Sequence, residues 1–393
     1  MTLTAFLILM FQVVSTFKIA IFEPQVSNSQ VSLFILYTKL VTIIGFIHAA
    51  RIPTWIWMNN APLLDYIADI SGVSSPSSYV SSAIGSSVDR MTFFERVQSF
   101  ISWSIIPFLY KRYVADTQTE LFRKYIDPNF PHLLDIAANV PLIMVNSDEM
   151  YALPRPILHK IVYIGGLGMT KKAAKPLKGE YKKIADRASN IIIFSFGSIA
   201  NATLMPTSWK NAFMSFTLLH KILWKYLDLD KTRALITHGG YNSLQEAINS
   251  ATPVIAVPLF GDQPSNAKLA VKNHFGVSLK KSEINTEMVS KAIRTILQDD
   301  SYAKTISRMR DMISSKPYTP EELLTRWTEF TAKFKDLSNL TPQSIHLSFI
   351  QYYCIDVVAF LITVLVLVNY ASYRLLLYVF KKLFRKSKKS KKE

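Results

Sequence analysis

A glycine-rich turn in the second half of the chain carries the residues best suited to chemistry. The apolar run 234–237 ends in residues 238–240 (HGG), and a helix is predicted to begin at Asn242. Glycines let backbone N–H groups approach an anion closely, and the start of a helix favours negative charge. His238 and Ser243 can donate further hydrogen bonds to phosphate oxygens. The turn therefore predicts a diphosphate site.

Hydroxyl-binding side chains follow this turn. Glu246 lies one helical turn further on and can accept two hydrogen bonds, as ribose hydroxyls require. Asp262 and Gln263 come after the next apolar run, 254–258, and can bind sugar hydroxyls in the same way. Together these partners indicate a nucleotide-sugar pocket. A purely structural strand–glycine–helix turn remains the alternative at this point.

Short apolar runs alternate with helical patterns, and these elements must position the site. From about Gly165 to Lys335 this alternation predicts a doubly wound α/β domain, in which ligands bind where strands end. A further glycine turn is expected at 275–277, and a linker followed by a helix at 171–187. The strand-like runs are 17–22, 139–146, 160–164, 190–196, 234–237 and 254–258.

Two apolar stretches in the first half allow more than one interpretation. Residues 31–50 are long enough to span a bilayer, but Lys39 near the middle would be costly there, so buried folded structure is preferred. Residues 100–110 are too short to span and contain Pro107, and they can lie against a membrane surface.

The N-terminal residues 1–15 resemble the apolar core of a secretory signal, with Val13 and Ser15 at acceptable cleavage positions. No Lys or Arg precedes this core, and a buried first strand is the alternative. Either way, the run is too short to cross a bilayer.

The C-terminal residues 353–380 predict a transmembrane helix, and the basic tail 381–393 predicts that the C-terminus is cytosolic. Lys389 and Lys391 resemble a dilysine retrieval signal of the endoplasmic reticulum, although they can also simply contact anionic lipid. Sequons at Asn201 and Asn339 agree with a lumenal main body.

Composition excludes several classes of protein. The 393 residues are 49% hydrophobic with a mean hydropathy of +0.18, which excludes a largely disordered chain. A single cysteine, Cys354, excludes an intrachain disulfide. The net charge of +17 falls to +10 without the basic tail, so the excess does not indicate nucleic-acid binding.

The run 235–263, LITHGGYNSLQEAINSATPVIAVPLFGDQ, closely resembles the signature of UDP-glycosyltransferases, in particular animal UDP-glucuronosyltransferases. Further resemblances cover most of the chain from Gly45 onward. They are FSFGS (194–198), PTSWKNAF (206–213), KIVYIGGLG (160–168) and HAARIPTWIW (48–57).

This resemblance implies an α/β, GT-B-like fold with two Rossmann-like domains, the first one incomplete, and a C-terminal single-pass transmembrane helix. The expected bounds are a signal peptide at 1–15, an acceptor-type domain at 16–164, a UDP-sugar domain with linker at 165–352, the transmembrane helix at 353–380 and the cytosolic tail at 381–393.

The resemblance also implies inverting transfer of glucuronic acid or glucose from a UDP-sugar to lipophilic hydroxyl compounds. Neither a metal nor another cofactor is expected, the protein is a type I protein of the endoplasmic reticulum membrane, and a homo- or hetero-oligomer is left open. The implied donor-binding residues are Ser198, His238, Gly240, Asn242, Ser243, Glu246, Asp262 and Gln263.

Two departures from the family pattern put activity in question. Family members use an N-terminal His as the base, oriented by an Asp, but Gln30 falls near that position, and an amide cannot act as a base. A Trp-x-Pro-Gln stretch that contacts uracil is also missing before the HGG turn. The alternative is therefore a catalytically inactive, shortened relative that acts as a membrane-anchored interaction partner.

Overall fold

The first β-sheet contains five strands within the described residues, ordered as they follow one another in the chain. The first pair is antiparallel and each later pair is parallel. The strands are β1 (Ala20–Phe22), β2 (Leu33–Tyr37), β3 (Thr54–Asn59), β4 (Leu142–Val145) and β5 (Ile161–Tyr163).

The second sheet has four described strands, all parallel: β6 (Ile191–Ser195), β7 (Thr232–Thr237), β8 (Val254–Ala256) and β9 (Gly276–Ser278). The predicted glycine turn at 275–277 is wrong, because Gly276 is the first residue of β9. A Cβ atom on Gly276 would lie 2.5 Å from the Val254 carbonyl oxygen, so this glycine permits close strand pairing.

The computed structural model describes residues 20–22, 33–37, 42–82, 85, 87–169, 179–197, 204–214 and 231–389. Helices cover both sheets. Those before β6 are α1 (Thr42–Ala49), α2 (Asp65–Ser71), α3 (Phe93–Leu109), α4 (Asp116–Tyr125), α5 (Leu133–Ala138) and α6 (Gly179–Arg187). Those that follow are α7 (Thr207–Met214), α8 (Tyr241–Asn249), α9 (Gln263–Lys272), α10 (Thr286–Gln298), α11 (Asp300–Ser314) and α12 (Pro320–Phe334).

The two faces of the first sheet are covered from different parts of the chain. Trp55 and Trp57 of β3 pack with α1, α2, α4 and α5, whereas Ile56 points to the opposite face. There it joins a cluster with Trp327 and Ala332 of α12. Helix α12 therefore completes the first sheet, although its sequence lies in the predicted UDP-sugar domain. The predicted domain bounds themselves stay a prediction.

The second sheet is covered by its own crossover helices and their neighbours. Leu235 and Val254 face α8, α9 and α11, while Ile236 and Ile255 face α7 and α10. Both faces are apolar, which explains why these strands are continuous apolar runs in the sequence.

Where it is described, at residues 33–37 and 42–50, the stretch 31–50 is folded structure rather than a membrane span. It contains β2 and α1, and Ile44 and Ile47 of α1 are buried in the first core. The exposed His48 meets the ring of Phe130 edge-on, with 5.2 Å between ring centroids.

Lys160, just before β5, is fully buried. Its Nζ donates to the Ala138 carbonyl oxygen at 2.9 Å and to Thr341 Oγ1 at 3.3 Å. Burial lowers the pKa of the Lys160 ammonium to about 8. This contact fixes the end of the first compact unit, residues 1–341.

The second compact unit, residues 342–393, consists of helices where it is described, namely α13 (Phe349–Tyr352) and α14 (Ile355–Lys389), after a short 3₁₀ turn. Within Ile355–Lys382 of α14, the most apolar window of 18 residues has a mean hydropathy of 2.1, and none of that window is buried by the described chain. By length and composition this helix can cross a membrane. The predicted signal peptide and the last four residues of the basic tail lie outside the described residues.

Candidate functional site

The turn between β7 and α8 has the backbone geometry that an anion site needs. Gly239 has φ +81°, a conformation that favours glycine. Gly240 then precedes α8, whose first N–H groups have no partner within the helix. The Gly239 carbonyl oxygen accepts from Asn266 Nδ2 at 3.0 Å. This hydrogen bond holds the loop in place at the start of α8.

The His238 ring is packed between two glycines. A Cβ atom on Gly240 would lie 2.6 Å from His238 Nε2, and one on Gly197 would lie 2.8 Å from His238 Cε1. Gly197 follows β6, the strand that pairs with β7. The FSFG and HGG segments therefore build one pocket for the imidazole at neighbouring strand ends. The role of Gly197 was not foreseen from the sequence, because it depends on strand pairing.

Burial lowers the pKa of His238 below its ordinary value, and the Asp262 carboxylate opposes this only in part. The imidazole is therefore largely neutral at pH 7, with one nitrogen as donor and the other as acceptor. Its Nδ1 lies 3.3 Å from Thr237 Oγ1. A neutral ring can hydrogen-bond a phosphate oxygen without a buried positive charge.

The first turn of α8 presents the next predicted residues. Asn242 is exposed, whereas Ser243 is only 8% exposed and Glu246 is half-buried. Glu246 follows Asn242 by four residues, so the two share one side of the helix. Tyr241 is buried and its hydroxyl lies 2.5 Å from Ser147 Oγ, which fixes the helix start against the end of the first sheet.

Asp262 and Gln263, at the start of α9, differ in their surroundings. Asp262 is half-buried and accepts from Asn266 Nδ2 at 2.9 Å. Because the same amide reaches Gly239, Asn266 joins the two loops. Gln263 is 4% exposed, and its Oε1 accepts from the backbone N–H groups of residues 259 and 260 at 2.8 and 3.1 Å. Any sugar contact by Gln263 therefore depends on its NH₂ group.

An amide cluster, defined as Asn60, Asn146 and Asn242, joins the two sheets. Asn146 follows β4 and donates through Nδ2 to Asn60 Oδ1 at 2.6 Å and to Asn242 Oδ1 at 3.4 Å. Its own carbonyl oxygen accepts from Gln245 Nε2 at 2.6 Å. Because the Asn242 oxygen is used in this way, its NH₂ group is the part left to face a ligand. Sequence reasoning missed Asn60 and Asn146; the polar residues that end two apolar runs were the available signal.

A buried ion pair fixes the segment after Asn146. Lys316 Nζ lies 3.0 Å from Asp148 Oδ2 and 2.9 Å from Glu149 Oε1. Burial raises the pKa of Asp148 more than Lys316 lowers it. The segment is thereby joined to the chain that enters α12.

Of the remaining predicted residues, Gln30 and Ser198 lie outside the described ranges.

Comparison with known proteins places this geometry in a family. The family model of UDP-glucoronosyl and UDP-glucosyl transferases matches residues 25–230 and 225–390. UDP-glucuronosyltransferase 1A3 of Homo sapiens is 27% identical over 370 residues, which are 87% of this chain and 68% of that relative. UDP-glucuronosyltransferase 1A4 of Homo sapiens is 27% identical over 346 residues, 81% of this chain and 64% of that relative. The chain thus spans roughly two-thirds of the length of these relatives.

Solved structures agree on the fold. The spinosyn forosaminyltransferase SpnP aligns with a TM-score of 0.51 and 13% identity, over 76% of each chain. Os79 from O. sativa, solved in complex with U2F and trichothecene, aligns with a TM-score of 0.50 and 14% identity, over 75% of this chain and 77% of that chain. These neighbours have the GT-B fold, which confirms the predicted fold class. The chain belongs to the UDP-glucoronosyl and UDP-glucosyl transferase family.

Proposed function

We propose that this chain is a membrane-anchored UDP-glycosyltransferase that moves glucuronic acid or glucose from a UDP-sugar to lipophilic hydroxyl compounds with inversion. The observation that carries the proposal is the convergence of His238, the start of α8 and Asp262 at the carboxyl ends of adjacent parallel strands. Ligands of open α/β sheets bind at this edge.

The donor half of the site supplies charge stabilisation. As the bond between the anomeric carbon and the UDP oxygen breaks, negative charge grows on the diphosphate. The N–H groups that begin α8, together with His238 and the NH₂ group of Asn242, are donors suited to that charge. Ser243 adds a hydroxyl, Glu246 accepts from the ribose, and Asp262 with Gln263 binds the sugar. Ser198 belongs to the same proposal.

The acceptor half has to supply a base. The acceptor oxygen forms the new bond to the anomeric carbon, UDP leaves with the electron pair of the old bond, and the hydroxyl proton passes to a base. Gln30 occupies the position near which the family places its His. This substitution favours a second candidate function: a relative that binds a UDP-sugar or a protein partner and transfers nothing.

Calorimetry with the full chain in lipid nanodiscs tests donor binding. Titration with UDP-glucuronic acid and UDP-glucose compares the wild type with Glu246→Ala and Asp262→Ala, and with Glu287→Ala, an exposed carboxylate on α10, as matched control. Binding by the wild type and the control, with at least tenfold weaker binding by the two site variants, supports the proposal. The absence of wild-type binding up to millimolar donor would contradict it.

A turnover assay separates the two candidate functions. UDP release is measured with a panel of phenols and aliphatic alcohols at saturating donor. Donor binding accompanied by release identifies a transferase. Donor binding without release for any acceptor identifies the non-catalytic relative that Gln30 favours.

The same proposal places the chain in the endoplasmic reticulum membrane, with the main body lumenal and the basic tail cytosolic. Helix α14 supports an anchor, and the Lys/Arg cluster that follows it supports this orientation. Protease treatment of sealed microsomes tests it, because a C-terminal epitope should be removed while residues 42–341 stay protected.

A further inference from the structure

Helix α3 carries an apolar stripe on its outer side. The stripe is defined as Phe94, Val97, Ile101, Ile105 and Phe108, whose spacing of three or four residues puts them on one side of the helix. Their exposed fractions are 81%, 39%, 48%, 47% and 64%. The stripe extends for about 21 Å along the helix. Among the described residues nothing covers it.

The opposite side of α3 is firmly attached, so the exposure of the stripe is a fixed feature. Ser99 Oγ and Trp103 Nε1 both donate to the Val80 carbonyl oxygen, at 3.1 and 2.9 Å. Just beyond the helix, the ring of Tyr110 stacks on Tyr66 with 4.4 Å between centroids. These contacts set the rotation of the helix about its axis, which directs the stripe away from the core.

The beginning of α3 is fixed as well. Thr92 and Glu95 form a reciprocal capping box. Glu95 also pairs with Lys268 of α9 at 3.3 Å. The nearby Asp89 pairs with Lys272 of the same helix at 2.7 Å. The carboxylates at this end are therefore already matched with cations of α9.

Cationic and aromatic side chains continue the stripe at its C-terminal end. Lys111 and Arg112 are exposed in the helical turn after α3, and Tyr113 is 72% exposed. Asp116 lies 3.6 Å from Arg112 and accepts also from His132. Apolar residues bordered by cations and aromatics are typical of helices that lie in the interfacial layer of a bilayer. A protein interface would instead be depleted of charge, and burying Lys111 there would be costly.

We propose that the apolar stripe of α3 lies in the interfacial layer of a lipid bilayer, with Lys111 and Arg112 at the level of anionic headgroups. Helix α14 gives the chain a means of staying at a membrane, so even a weak surface contact would be occupied at the high effective concentration that a tether provides. This inference does not depend on donor binding or turnover.

Spin-label accessibility in the full chain tests the inference. Cys354 is replaced by serine, since it is the only cysteine, and a single nitroxide is attached at Ile101→Cys or Ile105→Cys. Lys291→Cys on α10, an exposed polar position, is the matched control. The vesicles contain phosphatidylcholine with or without phosphatidylserine. Collision rates are measured with oxygen, which concentrates in lipid, and with a water-soluble nickel chelate.

At positions 101 and 105 we expect oxygen collisions to exceed nickel collisions severalfold, with the reverse at position 291. Changing Lys111 and Arg112 to Gln should reduce that ratio only in the vesicles with phosphatidylserine. High nickel collisions at 101 would overturn the proposal in favour of a solvated face. Low rates with both reagents would overturn it in favour of protein contact, either with a second copy or with another part of this chain.

Discussion

The two sheets of the molecule differ in which parts of the chain cover their apolar faces. Each face of the second sheet is covered by helices that follow its own strands closely in sequence. The first sheet begins with an antiparallel strand, and one of its faces is covered by α12, more than 150 residues after β5. The second sheet is thus covered by neighbouring parts of the sequence, whereas the first sheet depends on a distant part of the chain. Substitutions around the first sheet and around the second sheet should therefore have separable effects.

The largest effect is expected for Trp327→Ala, which removes the central aromatic ring between α12 and the first sheet. Loss of this partly buried ring should lower the free energy of unfolding by about 2–4 kcal/mol. Hydrogen exchange of the purified full chain should show lost protection in β3–β5 and unchanged protection in β6–β9. Equal loss in both sheets would contradict the comparison.

Gly240→Ala should have the next largest effect, and this effect should be confined to the site at the end of the second sheet. The added Cβ would lie 2.6 Å from His238 Nε2, so the ring must move out of its pocket. We expect UDP to bind at least thirtyfold more weakly, with the thermal midpoint almost unchanged. Gly45→Ala is the counterpart in the first half, where the Cβ would lie 2.7 Å from Leu133 Cδ2. That variant should lose stability instead, and a reversed pattern would refute the assignment of roles.

Asn146→Asp tests the amide cluster that joins the two sheets. We expect it to lower the affinity for UDP about tenfold. A carboxylate cannot donate to Asn242 Oδ1, so the Asn242 amide should rotate and present its oxygen to the diphosphate. Uridine, which has no diphosphate, should bind as it does to the wild type. The exposed Asn139→Asp serves as control. Equal losses for UDP and uridine would show that Asn146 acts only through general structure.

Lys160→Met should give the smallest effect, a change in the pH dependence of stability. The folded-state pKa of Lys160, about 8, lies below the unfolded value of about 10.5, so the unfolded chain binds more protons between these pH values. Between pH 7.5 and 9.5, the free energy of unfolding of the wild type should therefore rise by on the order of 1 kcal/mol relative to that of Lys160→Met. Urea denaturation of both proteins in detergent measures this difference. A constant difference across that range would rule out the lowered pKa.

The sequence predicted the second sheet well because the rules that place its strands are local. Short apolar runs ending in glycine are sufficient to place β6 to β8 and the turn before α8. Gly276 was misinterpreted because the same residue type serves both turns and crowded strand pairs, and only the neighbouring Val254 distinguishes them.

The first sheet and its contacts were predicted less completely because these contacts join residues that are distant in the sequence. No periodicity indicates that Trp327 packs on β3, or that Asn146 reaches Asn242. The same holds for Gln263, whose type suggested a sugar contact while its oxygen holds its own loop. The role of a buried polar residue depends on its hydrogen-bond partners, and only the folded structure shows which residues these are.

The contact between Lys160 and Thr341 would affect any glycan attachment at the sequon of Asn339. Thr341 is the hydroxyl residue of the sequon at Asn339, and in the folded chain that hydroxyl accepts a hydrogen bond from a buried ammonium. An enzyme that attaches a glycan to Asn339 has to engage this hydroxyl before Lys160 does. The fraction of chains that carry a glycan at Asn339 would therefore depend on two competing rates, that of glycan transfer and that of the packing of Thr341 beside β5. Slower folding would raise this fraction.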